Sequence, residues 1–274
     1  MEYRDYTESC CPFDASEYTG APDSSPCPEA LPVKEIIEEL DGLYARGRED
    51  RAQAFLEHWQ RKARELGDWR AELTLTSELL GQYRRSGSRE PGLEAVDKAM
   101  ALIRGHRLGE TLSGATIMLN AATTMKCFGL AAESIPVFRH VCRVYSAKLD
   151  PADYRFAGLY NNMALSYGDL GETGEAERYF RLALRVMEKC RNPENDMAVT
   201  LCNMAELYDR ADHEDGRIGQ CMERAWELLN APELPRDGYH AFTASKCAAS
   251  FDYFGYFLYS MELKERADKI YEGT

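Results

Sequence analysis

The chain is poor in positive charge. Its 33 lysines and arginines face 46 aspartates and glutamates, which gives a formal net charge of -13 and a pI near 5.0. Contacts to phosphates need a basic footprint, so nucleic acid and anionic membrane surfaces are disfavoured as partners. No stretch reaches the roughly 18 apolar residues that span a bilayer. The opening segment MEYRDYTESCCPFD has neither the basic region nor the apolar core of a secretory signal. The nine cysteines are odd in number and follow no framework spacing. Six of them, Cys127, Cys142, Cys190, Cys202, Cys221 and Cys247, fall inside helical patterns, where cysteine acts as a small buried hydrophobe. These features predict a soluble protein of a reducing cytoplasm.

The groupings that carry catalysis are also lacking. The five histidines (His58, His106, His140, His213 and His240) are far apart in sequence, and none forms an HExxH or a Cys-His metal pair. His58 and His140 are expected at the surface of second helices. A Gly-rich phosphate loop and a nucleophile elbow are both missing. Cys10, Cys11 and Cys27 have no fourth ligand at a matching spacing. The expectation is therefore a protein that is not an enzyme, with no cofactor and no metal.

What the sequence does contain falls into two parts. Residues 1–32 carry Pro, Ser, Asp and Glu with little periodicity, as a flexible acidic tail does. From Val33 to the last residue, 274, apolar residues recur at three- and four-residue spacing, and no segment alternates strictly enough for a strand. Asp150-Pro151 and Asn192-Pro193 each offer a capping side chain before a proline suited to a first helical position. Gly67, Gly87, Gly129 and Gly171 mark turns.

Internal repetition organises this helical region. Tyr160, Met163, Ala164, Tyr167, Gly171, Ala176, Phe180 and Ala183 form one frame. The same frame recurs 42 residues earlier as Met118, Ala121, Ala122, Met125, Gly129, Ser134, Phe138 and Val141. It recurs again as Thr76, Leu79, Leu80, Tyr83, Gly87, Gly92, Val96 and Ala99. A fourth unit follows after 41 residues at Leu201, Met204, Ala205 and Tyr208, then Ile218, Met222 and Ala225. A last unit is fitted on Phe251, Phe254, Gly255, Leu258, Ala267 and Tyr271, and a degenerate hairpin spans about 34–66. Small residues such as Ala122, Ala164 and Ala205 let the two helices of a unit approach. Gly92, Ser134 and Ala176 lie where a hairpin meets the next, and Val96, Phe138, Phe180 and Met222 fill the space between units.

This frame resembles the tetratricopeptide repeat, most closely in LYNNMALSYGDLGETGEAERYFRLAL. The 42-residue period is longer than the usual 34 or so. With Asn before the Leu/Ala pair in LNAATTM, NNMALSY and CNMAELY, the array is most similar to kinesin light chain-type repeats. Thr76 and Met118 depart from the motif's large aromatic, and its terminal proline is absent. The resemblance implies an all-α fold, a right-handed α-solenoid of about six antiparallel helix hairpins, and a protein- or peptide-binding scaffold.

Such an array presents a concave surface lined by the first helix of each unit. Asn120, Asn162 and Asn203 share one repeat position, which contacts bound peptide in the resembled family. An amide offers a donor and an acceptor to an extended backbone, although each Asn could equally bond a neighbouring helix. Leu119, Thr123, Asn161 and Leu165 add neutral or apolar lining, and Asp169, Glu206 and Arg210 add charge. A partner with apolar anchors and some basic residues suits this surface. A carboxylate clamp is excluded, because the positions that would need lysine hold Thr116, Leu119, Gly158, Asn161, Val199 and Cys202. Two further readings are a signal-peptide-responsive regulatory receptor and a structural subunit that binds through its ends and convex face. The aromatic-rich final hairpin also suggests self-association.

Overall fold

The computed structural model describes residues 30–45, 48–211 and 216–272. Most of the expected tail, and His213, lie outside the described residues. Residues 30–32 lead directly into the first helix, and the Leu31 amide donates to Asp68 Oδ2 at 3.0 Å.

Among the described residues there are twelve α-helices and no strand. They are α1 (Val33–Ala45), α2 (Glu49–Leu66), α3 (Trp69–Ser86), α4 (Arg89–Gly105), α5 (Leu112–Cys127) and α6 (Ala131–Lys148) in a first compact unit, residues 1–149. A second unit, residues 150–274, holds α7 (Arg155–Asp169), α8 (Thr173–Met187), α9 (Glu194–Arg210), α10 (Arg217–Leu229), α11 (Gly238–Tyr253) and α12 (Phe257–Glu272). Successive helices pair as six hairpins, α1 with α2 through α11 with α12. The all-helical repeat fold expected from the periodicity is present.

The 42-residue period is visible in the backbone. Gly87, Gly129 and Gly171 end the first helices of three hairpins with φ of 67°, 85° and 76°. Only a residue without Cβ takes this left-handed conformation at little cost, so the glycines set where each helix turns back. In the first unit the same spacing places Ala99 and Val141 in the core; in the second it places Ala183, Ala225 and Ala267. Leu80 and Ala122 in the first unit, and Ala164, Ala205 and Ala248 in the second, are also fully buried. The short alanine side chains let paired helices approach, and Leu80 fills the same position with a larger group. Phe138 in one unit, and Phe180 and Met222 in the other, fill the spaces left between hairpins. Each such burial contributes about 1.5–3 kcal/mol relative to exposure. Gly92 shows the tightness of one junction: a Cβ there would lie 2.4 Å from the Phe128 ring of the next hairpin.

Three local expectations are corrected. Gly255, with φ 83°, is the turn between α11 and α12, two periods after Gly171. Phe251 therefore corresponds to Tyr167, and the frame fitted on Phe251, Phe254 and Leu258 is out of register by seven residues. Pro151 does not begin a helix: Asp150 Oδ1 accepts from the Ala152 amide at 2.8 Å in a separate turn, and α7 starts at Arg155. Asn192 is itself left-handed (φ 52°), and the cap position of α9 falls to Pro193. The side-chain caps that do form are Asp68 on Ala71 N, Thr111 on Gly114 N and Asp237 on His240 N.

Candidate protein-interaction surface

Within each unit the first helices of successive hairpins are joined sideways by polar contacts about one repeat apart in sequence. In the first unit the Asn120 amide donates to Ser77 Oγ at 3.0 Å, linking α5 to α3. Arg84 Nη1 donates to Thr124 Oγ1 at 2.8 Å and to the Asn120 carbonyl at 3.3 Å. Arg85 lies over the Tyr44 ring, 4.4 Å from its centroid, and also bonds the Tyr44 hydroxyl. Asn120 Oδ1 is buried and has no hydrogen-bond partner among the described residues.

The second unit repeats the arrangement. Asn161 Oδ1, on α7, accepts from Asn203 Nδ2 at 3.4 Å and from Thr200 Oγ1 at 3.5 Å, both on α9. Arg210 Nη1 reaches Asp169 Oδ1 at 3.3 Å across the same pair of helices. From α11, Ser250 Oγ donates to Glu206 Oε1 at 2.9 Å and Tyr253 OH donates to Asp209 Oδ2 at 2.9 Å. The Asp209 carboxylate pushes the Tyr253 phenol above its usual pKa. Tyr239 likewise bonds Asp196.

These distances place each candidate residue. Leu119, Thr123, Asn161 and Asn162 are buried, and Thr123 Oγ1 donates to the Leu119 carbonyl at 2.9 Å. Asn162 Nδ2 donates to Gly158 O of its own helix at 3.0 Å. Asn120, Leu165 and Asn203 are half-buried, and Asp169, Glu206 and Arg210 are exposed. The repeated Asn position thus bridges neighbouring helices at Asn120 and Asn203, whereas Asn162 bonds within its own helix. His58 is exposed as expected, but His140 is half-buried, with Nε2 2.8 Å from the Gly109 carbonyl.

One buried polar group escaped the sequence reading. His240 is fully buried between Asn195 Oδ1, 3.0 Å from its Nδ1, and Arg236 Nη1, 2.7 Å from its Nε2. Burial, then the Arg236 and Arg266 charges, lower its pKa to about 4. The 45-residue separation from Asn195, close to one period, was the available signal. Among the described residues no group of three or more His, Cys, Asp or Glu side chains is placed to hold a metal ion. No helix among them is long and apolar enough to cross a membrane.

Sequence comparison matches residues 155–215, which include α7, α8 and α9, to the tetratricopeptide repeat family model. This segment carries tetratricopeptide repeats. Solved structures with the same repeat fold include BtubC (BKLC) from P. vanneervenii, 18% identical, with a TM-score of 0.55 over 82% of this chain and 91% of that one. A putative kinesin light chain of Podosopora anserina with nearly identical TPR-like repeats gives 16% identity and a TM-score of 0.51, over 71% and 92% of the two chains. A thermophilic TPR protein of Thermus thermophilus gives 19% and 0.50, over 80% and 98%. At these identities the likeness concerns the fold. No curated protein sequence matches significantly. Tetratricopeptide repeats generally mediate protein–protein interaction and are typically non-catalytic scaffolds.

Proposed function

We propose that this tetratricopeptide protein is a cytoplasmic adaptor that holds an extended peptide or a partner's helix on the first helices of its hairpins. The observation that carries the reading is the graded exposure of α7 and α9. Leu165 and Asn203 are half-exposed, and Asp169, Glu206 and Arg210 are open to solvent above a buried floor that includes Asn161 and Asn162. Leu165 offers an apolar contact, Asn203 an amide for a peptide backbone, and Asp169 and Glu206 carboxylates for basic side chains. In the first unit Asn120 occupies the equivalent position and is half-buried. The Asn120 and Asn203 side chains already hold neighbouring helices at set spacing. A peptide therefore meets a rigid lattice, and rigidity in the bound geometry favours affinity.

The test is to select peptides from a random display library on the full chain and measure their binding by fluorescence anisotropy. The Asn120→Ala/Asn162→Ala/Asn203→Ala variant loses three hydrogen bonds and some stability, but below its thermal midpoint, with native circular dichroism, it should bind them at least about tenfold more weakly. Undiminished binding by a folded triple variant would move the interaction off the first helices.

A further inference from the structure

The last hairpin exposes apolar side chains in an unexpected place. Leu258 is 79% exposed, Tyr253 70%, Met261 66% and Phe257 61%. All four surround the α11–α12 turn. Scattered single apolar residues on a surface are ordinary, but a contiguous group marks an interaction site.

The repeat period tells whether this group is merely the face on which a further hairpin would stack. Ala183, Ala225 and Ala267 fix the register of α8, α10 and α12, and all three are fully buried. Where α8 and α10 bury Phe180 and Met222, α12 carries exposed Lys264. Where they carry Leu184 and Trp226, it has exposed Asp268. Conversely, Leu258 stands where the earlier helices have Gly174 and Gly216, and Met261 where they have Glu177 and Gly219. Two stacking positions have become charged, while Tyr271 stands half exposed where Met187 and Leu229 are buried, and the formerly small or acidic positions have become large and apolar. Leu258 and Met261 are therefore additions to the repeat, not remnants of its packing.

Carboxylates flank the patch on the side of the turn, with Lys264 exposed one helical turn beyond Met261. Tyr253 donates its hydroxyl to Asp209, the Tyr256 phenol feels the negative charge of Glu223, and Asp252 is exposed nearby. Arg266 pairs with Glu262 at 2.6 Å and also bonds Leu229 O and Asn230 Oδ1, and Lys269 pairs with Glu265 at 2.8 Å, so Asp209, Glu223 and Asp252 are the carboxylates left to face a partner. The turn itself is rigid: Tyr259 stacks on Trp226 with ring centroids 4.0 Å apart and planes within 5°. A second copy of this chain would bring the same carboxylates face to face at a net charge of -13 each, which opposes association. A cationic apolar segment meets both properties of the surface.

We propose that the α11–α12 turn is a second docking surface, separate from the first-helix face, for a basic amphipathic helix of another protein. The helix seats its apolar side chains on Phe257, Leu258 and Met261 and its lysines or arginines toward Asp209, Glu223 and Asp252.

The probe is a fluorescein-labelled amphipathic peptide of about 18 residues with leucine and phenylalanine on one face and lysine on the other. A counterpart has glutamate for lysine. Anisotropy with the full chain should show binding of the lysine peptide, weakened by salt, and not of the glutamate peptide. The Leu258→Ser/Met261→Ser variant, altered only at exposed positions, should bind at least about tenfold more weakly with unchanged circular dichroism. The Asn120→Ala/Asn203→Ala variant should bind this probe as the wild type does, which separates the two surfaces. Equal binding of both peptides overturns the proposal, as does binding unaffected by Leu258→Ser/Met261→Ser. Concentration-dependent dimerisation in sedimentation velocity, abolished by that variant, would also overturn it by assigning the patch to a second copy.

Discussion

Asn195 and His240, on α9 and α11, share a buried hydrogen bond of 3.0 Å between Oδ1 and Nδ1. Arg236 can only donate, so His240 Nε2 accepts from it at 2.7 Å and the ring's single proton sits on Nδ1, directed at Asn195. The native pocket thus accepts only the neutral imidazole, and the pKa falls to about 4. The unfolded chain, with an imidazole near 6.5, binds the proton more readily. The stability this group contributes is complete above about pH 6.5 and is lost as pH falls from there toward 4. Between pH 7 and pH 5 the loss is about 2 kcal/mol at most. The His240 ring signals in an NMR titration should stay unmoved down to pH 5; a midpoint near 6.5 would contradict the buried arrangement.

Gly114 lies in the first turn of α5, where an added Cβ would come within 2.1 Å of the Leu108 carbonyl oxygen. Backbone cannot yield as a side-chain tip can. Gly114→Ala is expected to lower stability by more than about 2 kcal/mol. Gly174, in α8, has nothing within 4 Å of the same construction. Gly174→Ala should be neutral or stabilising by up to about 1 kcal/mol. Urea unfolding of the two variants distinguishes them.

Ser260 is fully buried in α12, and its Oγ has no hydrogen-bond partner among the described residues. The corresponding residue of α8 is Ala176. Removing an unsatisfied hydroxyl relieves a desolvation cost of about 1–3 kcal/mol. Ser260→Ala should raise the thermal midpoint or leave it unchanged, as read by calorimetry; a fall of several degrees would mean that the hydroxyl holds a water or a partner.

Asp169 and Arg210 are joined at 3.3 Å, and the arginine is about half exposed. Exposed pairs contribute about 0–1 kcal/mol. Arg210→Gln should therefore cost less than about 1 kcal/mol in denaturant titration, so any loss of peptide binding in this variant reads the surface and not the fold.

The period was legible where glycine punctuates it. Gly87, Gly129 and Gly171 fall at the turns, and Ala99, Val141 and Ala183 fall in the core. The last hairpin was misread because a seven-residue shift is nearly two helical turns and moves the apolar face by only about 20°. The aromatic residues around Phe251 satisfied both registers, and only Gly255 separates them. Which atoms the asparagines bond was not legible either. One repeat position yields a bridge to Ser77 at Asn120, a bridge to Asn161 at Asn203, and a bond within its own helix at Asn162. Side-chain reach decides among these, and spacing does not encode it.

Differential hydrogen exchange of the full chain, with and without a peptide selected from the display library, tests the central claim most directly. The account predicts new protection on the first helices of the second unit, within 158–169 of α7 and 199–210 of α9. Protection confined to the second helices, or none on α7 and α9, would contradict it.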